Sequence, residues 1–273
     1  MIPEQKTTRV PGQYRFRIRA FESDILFETT CLETHSILER YAFPSLPRIG
    51  AADGQPDVLI RLDSAADGFQ LSVDDVVVAV AHQAVSLVPD LIRVLDDAVI
   101  QSLTTLHAVH AGAVLWRGRI LLLPGATHAG KSSLVAELLR RGATYFSDEY
   151  AIIDAHGRVY PYARPLLVRD GRSEQIPMLP HECNAVAGDA PSPVGWIFSL
   201  EYHPASTWSV AEVPQSMALL TLLQNTPHSL AESPEMVSAF QNAVAEASCY
   251  AGSRTEAVDA VDRILQLVDS IAG

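Results

Sequence analysis

The sequence predicts an α/β protein: a small β-rich domain over residues 1–105, then a domain over residues 106–273 built on a phosphate-binding loop and finished by helices. Three observations predict it. Residues 14–80 hold short runs of alternating or strand-like apolar residues between turns. Residues 119–141 read as a strand, a glycine-rich loop and an amphipathic helix in immediate succession. The end of the chain carries helical periodicity and helix-start signals.

"YRFRIRAF" (14–21) alternates polar and apolar residues, as a half-exposed strand does. "DVLIRL" (57–62), "FQLSV" (69–73) and "VVVAV" (76–80) are further strands, separated by the turn-rich "RIGAADGQPD" and "DSAADG". Residues 89–106 read as a helix. Pro89 suits its first turn, and Leu91, Val94, Leu95, Ala98, Val99 and Leu103 form its apolar stripe. "HAGAVLW" and "RILLLPG" are two strands joined by a turn at Gly118. "KSSLVAELLRR" (131–141) is then a helix that buries Leu134, Val135, Leu138 and Leu139 and stops at Gly142. "ATYFSDEYAIID" is strand material, followed by a hairpin and an arginine- and proline-rich loop. "VGWIFSLEYH" and "TWSVAEV" are strands. Ser233-Pro234 starts a helix, and "SRTE" (253–256) has the spacing of a capping box before a last helix faced by Val258, Val261, Ile264, Leu265 and Val268.

Composition bounds the function. At 273 residues with 48% apolar and 19% charged side chains, the chain can bury a substantial core. A net charge of -12 opposes a general nucleic-acid binder, which needs a basic surface. Cys31, Cys183 and Cys249 are far apart and match no disulfide or metal framework, so buried, reduced thiols are expected. The longest uncharged segments, 98–116 and 213–231, are too polar to span a membrane, and the first residues lack the apolar stretch of a secretory signal. A cytoplasmic location without membrane attachment is expected.

The chemistry centres on Gly125, Ala126, Thr127, His128, Ala129, Gly130, Lys131 and Ser132, which fit G-x-x-x-x-G-K-[ST], with Ser133 following. Glycines let backbone N–H groups turn around phosphate oxygens, and the helix behind directs its positive end at them. Lys131 reaches the β- and γ-phosphates and the Ser132 hydroxyl binds Mg²⁺. The pattern arises by accident in on the order of one chain in a hundred of this length. His128 occupies the crown of the loop, where it caps a phosphate or narrows the pocket.

Residues 107 to about 170 resemble the catalytic domain of HPr kinase/phosphorylase, and more nearly the shorter HPr-kinase-related proteins of gene clusters that modify ribosomal peptides, lasso-peptide kinases included. "HAGAVLWRGRILLLPG", "GATHAGKSSLVAELLRRGA" and "YFSDEYAIID" carry the resemblance, in register. It implies a P-loop kinase core of the HPr kinase/PEP carboxykinase type, with ATP and Mg²⁺ as donor and metal. By the same resemblance Asp148 is the base that takes the acceptor's proton, Glu149 helps hold Mg²⁺, and His110 orients the base or senses phosphate charge. Arg164 and Arg169 approach the transferring phosphate, and self-association is implied too. The longer arginine–glycine signature of the HPr enzyme is missing, so neither HPr as substrate nor phosphorylase activity follows.

The expected function is transfer of the γ-phosphate of ATP to a hydroxyl, serine foremost, of a peptide or small protein. A catalytically idle protein that binds nucleotide and peptide, and a small-molecule kinase, are the alternatives. Intact Lys131, Ser132 and Asp148 favour chemistry over idleness.

Overall fold

A computed structural model describes residues 14–43, 46, 48–49, 54–125, 130–168, 175–203, 207–227, 230 and 233–271. They form a mixed α/β structure with more than one sheet and, among the described residues, six α-helices. Two compact units divide the chain. The first runs to Thr104 and includes residues 175–177; the second holds Thr105–Val168 and the chain from Met178 onward.

In the first unit, β1 (Tyr14–Ala20) and β2 (Ser23–Thr29) make a hairpin, and α1 (Leu32–Tyr41) leads to β3 (Arg48–Ile49). β4 (Val58–Ala65), β5 (Gly68–Val73), β6 (Val76–Ala81) and α2 (Val88–Ser102) follow. The sheet order is β3-β1-β2-β4-β5-β6, with β2 and β4 parallel and the other neighbours antiparallel. Alternation explains its two faces. Ile18, Ala20, Ile25, Phe27, Ile60, Leu62 and Leu71 are buried, whereas polar positions pair across strands. Arg17 Nε donates to Asp24 Oδ1 at 2.8 Å, and Arg61 Nε to Glu28 Oε2 at 3.1 Å. In α2 the buried stripe runs through Leu91, Ile92, Leu95, Asp96, Val99 and Ile100, so Val94 and Ala98, expected in the core, lie at its margin.

The second unit opens with β7 (His107–Trp116) and β8 (Arg119–Pro124), and α3 (Lys131–Arg140) follows. Next come β9 (Thr144–Ser147), β10 (Tyr150–Ile153), β11 (Arg158–Tyr160) and β12 (Leu166–Val168). After β13 (Ile176–Met178), at the division between units, stand β14 (Ser192–Tyr202), β15 (Ser209–Glu212), α4 (Gln215–Gln224), α5 (Pro234–Val244), β16 (Ser248–Arg254) and α6 (Ala257–Ile271). The sheet order is β11-β10-β7-β8-β14-β16-β15, with β9 also on β7. β8, β14 and β16 are mutually parallel. Leu134, Val135 and Leu138 of α3 and Val261, Ile264 and Val268 of α6 share one core cluster. Met236, Ala239, Phe240 and Ala243 of α5, with Ala218 and Leu222 of α4, share the other.

Three local expectations change. The expected capping box is not formed, because Ser253 is a strand residue of β16 opposite Ser209 and Glu201, and Glu256 accepts from the Tyr202 hydroxyl at 2.6 Å. The strand expected across "ATYFSDEYAIID" breaks at Asp148-Glu149 into β9 and β10. All three cysteines are free thiols, but only Cys249 is fully buried.

Gly157 closes the β10–β11 hairpin at φ 75°, and a Cβ there would overlap the backbone of Asn242 and Ala243. Gly142 ends α3 at φ 94° with open space around it. Gly142→Ala is therefore expected to cost about 1 kcal/mol from backbone conformation alone, and Gly157→Ala clearly more, because α5 must also move. Urea unfolding of the two variants checks this, and equal losses would contradict it.

Candidate functional site

The carboxyl ends of β8, β14 and β16 meet at one edge of the second sheet. In open α/β sheets that edge is where crevices form. β8, buried from Ile120 to Pro124, delivers Gly125 there, and α3 begins at Lys131. Gly130 precedes the helix in the left-handed region, at φ 76°. Lys131 is buried, and its Nζ donates to the carbonyl of Gly125 at 2.8 Å, tying the two ends of the loop together. Ser132 is half-buried and Ser133 exposed. Ala126, Thr127, His128 and Ala129 lie outside the described residues.

The acidic pair sits at the break between β9 and β10. Both strands pair with β7, which places Ser147 opposite Ala113 and Tyr150 opposite His110. The Ser147 hydroxyl accepts from the backbone N–H groups of Glu149 (3.3 Å) and Tyr150 (3.2 Å), a local turn that interrupts the strand, while the Glu149 carbonyl still accepts from Ala111 N–H of β7 at 3.0 Å. Asp148 is fully buried. Its Oδ1 accepts from the Tyr145 hydroxyl at 3.0 Å and lies 3.2 Å from Arg164 Nη2. Its Oδ2 is also buried and has no hydrogen-bond partner among the described residues. A buried carboxylate oxygen left without a donor costs free energy that folding alone does not explain.

Glu149 lies at the centre of the charge cluster. Oε1 is 3.3 Å from His110 Nδ1 and Oε2 is 3.9 Å from Arg164 Nη2. Burial alone pushes its carboxyl up. The His110 contact and the charges of Lys131 and Arg164 outweigh burial and hold it at about 2. For Lys131 the balance runs the other way: burial pulls its ammonium below the ordinary lysine value, while Glu149 and Asp148 restrain the fall. His110 also anchors the surroundings. Its backbone N–H donates to the carbonyl of Asn225 (2.8 Å), its carbonyl accepts from Gly125 (3.2 Å), and its ring lies 4.4 Å from that of Tyr150.

The fold thus gathers Lys131, His110, Asp148, Glu149 and Arg164 into one cluster, which Lys131 ties to Gly125. Arg169 lies outside the described residues. Arg254, not singled out in the sequence, joins them from the end of β16. It is 2% exposed; Nη2 donates to the carbonyl of Gly130 at 3.2 Å, Nη1 to that of Thr255 at 2.9 Å, and the guanidinium lies 4.9 Å from the Tyr202 ring centroid. A Cβ on Gly130 would overlap that guanidinium, which explains the glycine. The available signal was an arginine placed between a strand and a helix.

A cavity of about 920 Å³ flanks Gly125 on the side away from the acidic pair. Glu201, Tyr202 and His203 from β14 and its end, Gly252 and Ser253 from β16, and Gln224 from α4 contribute to its wall. Its size is that of a site for a small organic molecule. Among the described residues there is no cluster of three or more metal-ligating side chains, and no helix is long and apolar enough to cross a membrane.

No protein-family model matches the chain, and no curated protein matches it. Among solved structures, it is similar to the HPr(Ser) kinase/phosphatase of Coxiella burnetii at 14% identity, over 61% of this chain and 99% of that one, with a TM-score of 0.34. That is a distant likeness.

Because the folded-state value of Glu149 is depressed, its stabilisation is complete above the ordinary carboxyl value of 4.5 and is lost as the pH falls towards 2. Wild type should therefore exceed Glu149→Gln in urea midpoint at about pH 7, with the gap closing between about pH 4.5 and 2. A gap that stays constant across that range would remove Glu149 from the charge balance.

Proposed function

We propose that the second unit is the catalytic domain of an ATP-dependent kinase that transfers the γ-phosphate to an alcohol, with a serine of a peptide or small protein as acceptor. The first, β-rich unit is read as a separate domain. The unpartnered Oδ2 of Asp148 carries the proposal. Oδ1 is held by Tyr145 and Arg164, so the carboxylate is fixed and its second oxygen is free to accept a proton. An acceptor hydroxyl supplies the donor that this buried oxygen lacks.

The other groups have matching tasks. The ends of the loop and the start of α3 present backbone N–H groups and Lys131 to the β- and γ-phosphates. Arg254 sits against the same helix start, suited to the spread charge of the transferring group. Arg164 positions Asp148 through its contact with Oδ1, and His110 helps hold Glu149 ionised. The Ser132 hydroxyl and the Glu149 carboxylate suit Mg²⁺, which, when bound, neutralises charge on the β- and γ-phosphates. The acceptor oxygen forms a bond to the γ-phosphorus, the bond to the β–γ bridging oxygen breaks, ADP departs, and the hydroxyl proton passes to Asp148 Oδ2. The nucleoside is assigned to the cavity beside Gly125, where Gln224 and Ser253 offer hydrogen bonds at the right end of the loop.

Two substitutions separate binding from chemistry. Lys131→Ala should weaken ATP binding and abolish transfer together. Asp148→Asn should keep ATP affinity within about threefold while transfer falls by about 10²- to 10⁴-fold, the range for loss of a general base. Nucleotide titration and phosphopeptide mass spectrometry on both proteins decide this, and full-rate transfer by Asp148→Asn would sink the mechanism.

Arg254→Lys keeps the charge but not the fork that reaches both Gly130 and Thr255. Turnover should drop about tenfold or more, with the melting temperature little changed. A turnover equal to wild type would leave Arg254 a purely structural residue.

A further inference from the structure

The first unit carries an edge that native sheets usually avoid. β6 ends the six-stranded sheet, and among the described residues nothing pairs with its outer side. Val76 is 65% exposed, Val77 50%, Val78 49% and Val80 70%. Soluble proteins blunt such edges with lysine, proline, inward charges or bulges, because unpaired N–H and C=O groups beside β-branched side chains invite another strand. From Val76 to Val88 there is no aspartate, glutamate, lysine, arginine or proline. One bulge, where Leu71 and Ser72 face Ala79 and Val77, is the edge's single protective device.

The ends of the strand say what fits. Asp74 and Asp75 form the turn before β6, and the Asp75 side chain is 76% exposed although it pairs with Arg61. His82, exposed, follows the strand directly. If two copies of β6 pair antiparallel, the acidic end of each lies beside the histidine end of the other, twice, by symmetry. A parallel pairing would set the aspartates against one another. The valine row is complementary to itself, and a two-fold arrangement needs no second kind of surface.

We infer that a second copy of this chain pairs antiparallel along β6, joining two six-stranded sheets across a two-fold axis. Six residues of edge fall short of the roughly 1,200–2,000 Å² of a stable interface, so the association is weak, reversible and concentration-dependent. It does not rest on the kinase reading.

The test uses the full chain. Sedimentation velocity from about 5 to 500 µM should show a monomer–dimer shift, the range appropriate to a small interface. Amide exchange over residues 76–81 should slow at the high end of that range, while exchange over the opposite-edge strand β3 stays unchanged. Val80→Lys, at an exposed position, should abolish both effects and leave the circular dichroism spectrum unchanged. His82→Asp should weaken association at least severalfold, and Asp75→His combined with His82→Asp should restore it. Any of three outcomes overturns the inference: no association over the range, association that leaves exchange in 76–81 unaltered, or a Val80→Lys protein that still dimerises. Indifference to His82→Asp overturns the antiparallel sense. A Thr-Val-repeat decapeptide that protects β6 while the chain stays monomeric at every concentration would replace self-pairing with strand addition by a peptide.

Discussion

Gly125, the cavity wall beside it and Arg254 depend on the parallel pairing of β14 with β8 on one side and β16 on the other. Ile197 stands opposite Leu122 and Cys249 at once; β14 and β16 end level with each other at Tyr202 and Arg254, and β8 gives way to Gly125 three residues earlier. Their next residues are Gly125, His203 and Thr255, and Arg254 is the last residue of β16. A shift of one residue in either ladder would turn side chains to the opposite face and carry Arg254 away from Gly130. Placing the loop, the cavity wall and the guanidinium together is thus a consequence of ladder hydrogen bonds far below them.

The buried charges constrain one another as strongly. Lys131 and Arg164 are almost withdrawn from water, as is Asp148, and none of the three is affordable alone. Glu149, partly exposed, is held ionised by the cations and in turn restrains the loss of the Lys131 proton. The cluster is a near-balanced set of two acids and two bases to which Arg254 adds a further positive charge at the helix start.

Much of this was legible because it is local. α3 and its stop at Gly142 follow from spacing within a few residues, and β7 and β8 from apolar runs on either side of a turn. The Ser233-Pro234 helix start appears as the Ser233 hydroxyl accepting from Met236 N–H at 3.2 Å. What escaped depends on contacts distant in sequence. β2 follows β1 through a turn with Phe21 at φ 54°, which no glycine or asparagine announces. α4, "QSMALLTLLQ", is apolar on nearly every side and lacks a helical period. The break at Asp148-Glu149 is imposed by the Ser147 hydroxyl within an otherwise strand-like run, so the acids were legible as residues but not as a turn. Arg254 gained meaning only when β16 was seen beside β14.

The strand order of the second sheet also bears on synthesis. β15 leaves the ribosome before β16, yet its partner in the sheet is β16. Until residues 248–254 emerge, β14 has one side uncovered, β15 has no ladder and the carbonyl of Gly130 lacks its arginine. A nascent chain can already carry Gly125, α3 and the acidic pair while the helix start still lacks Arg254. Translation that stops anywhere before β16 therefore leaves an unfinished sheet with an open edge, a substrate for chaperones and proteases, and no half-working fragment.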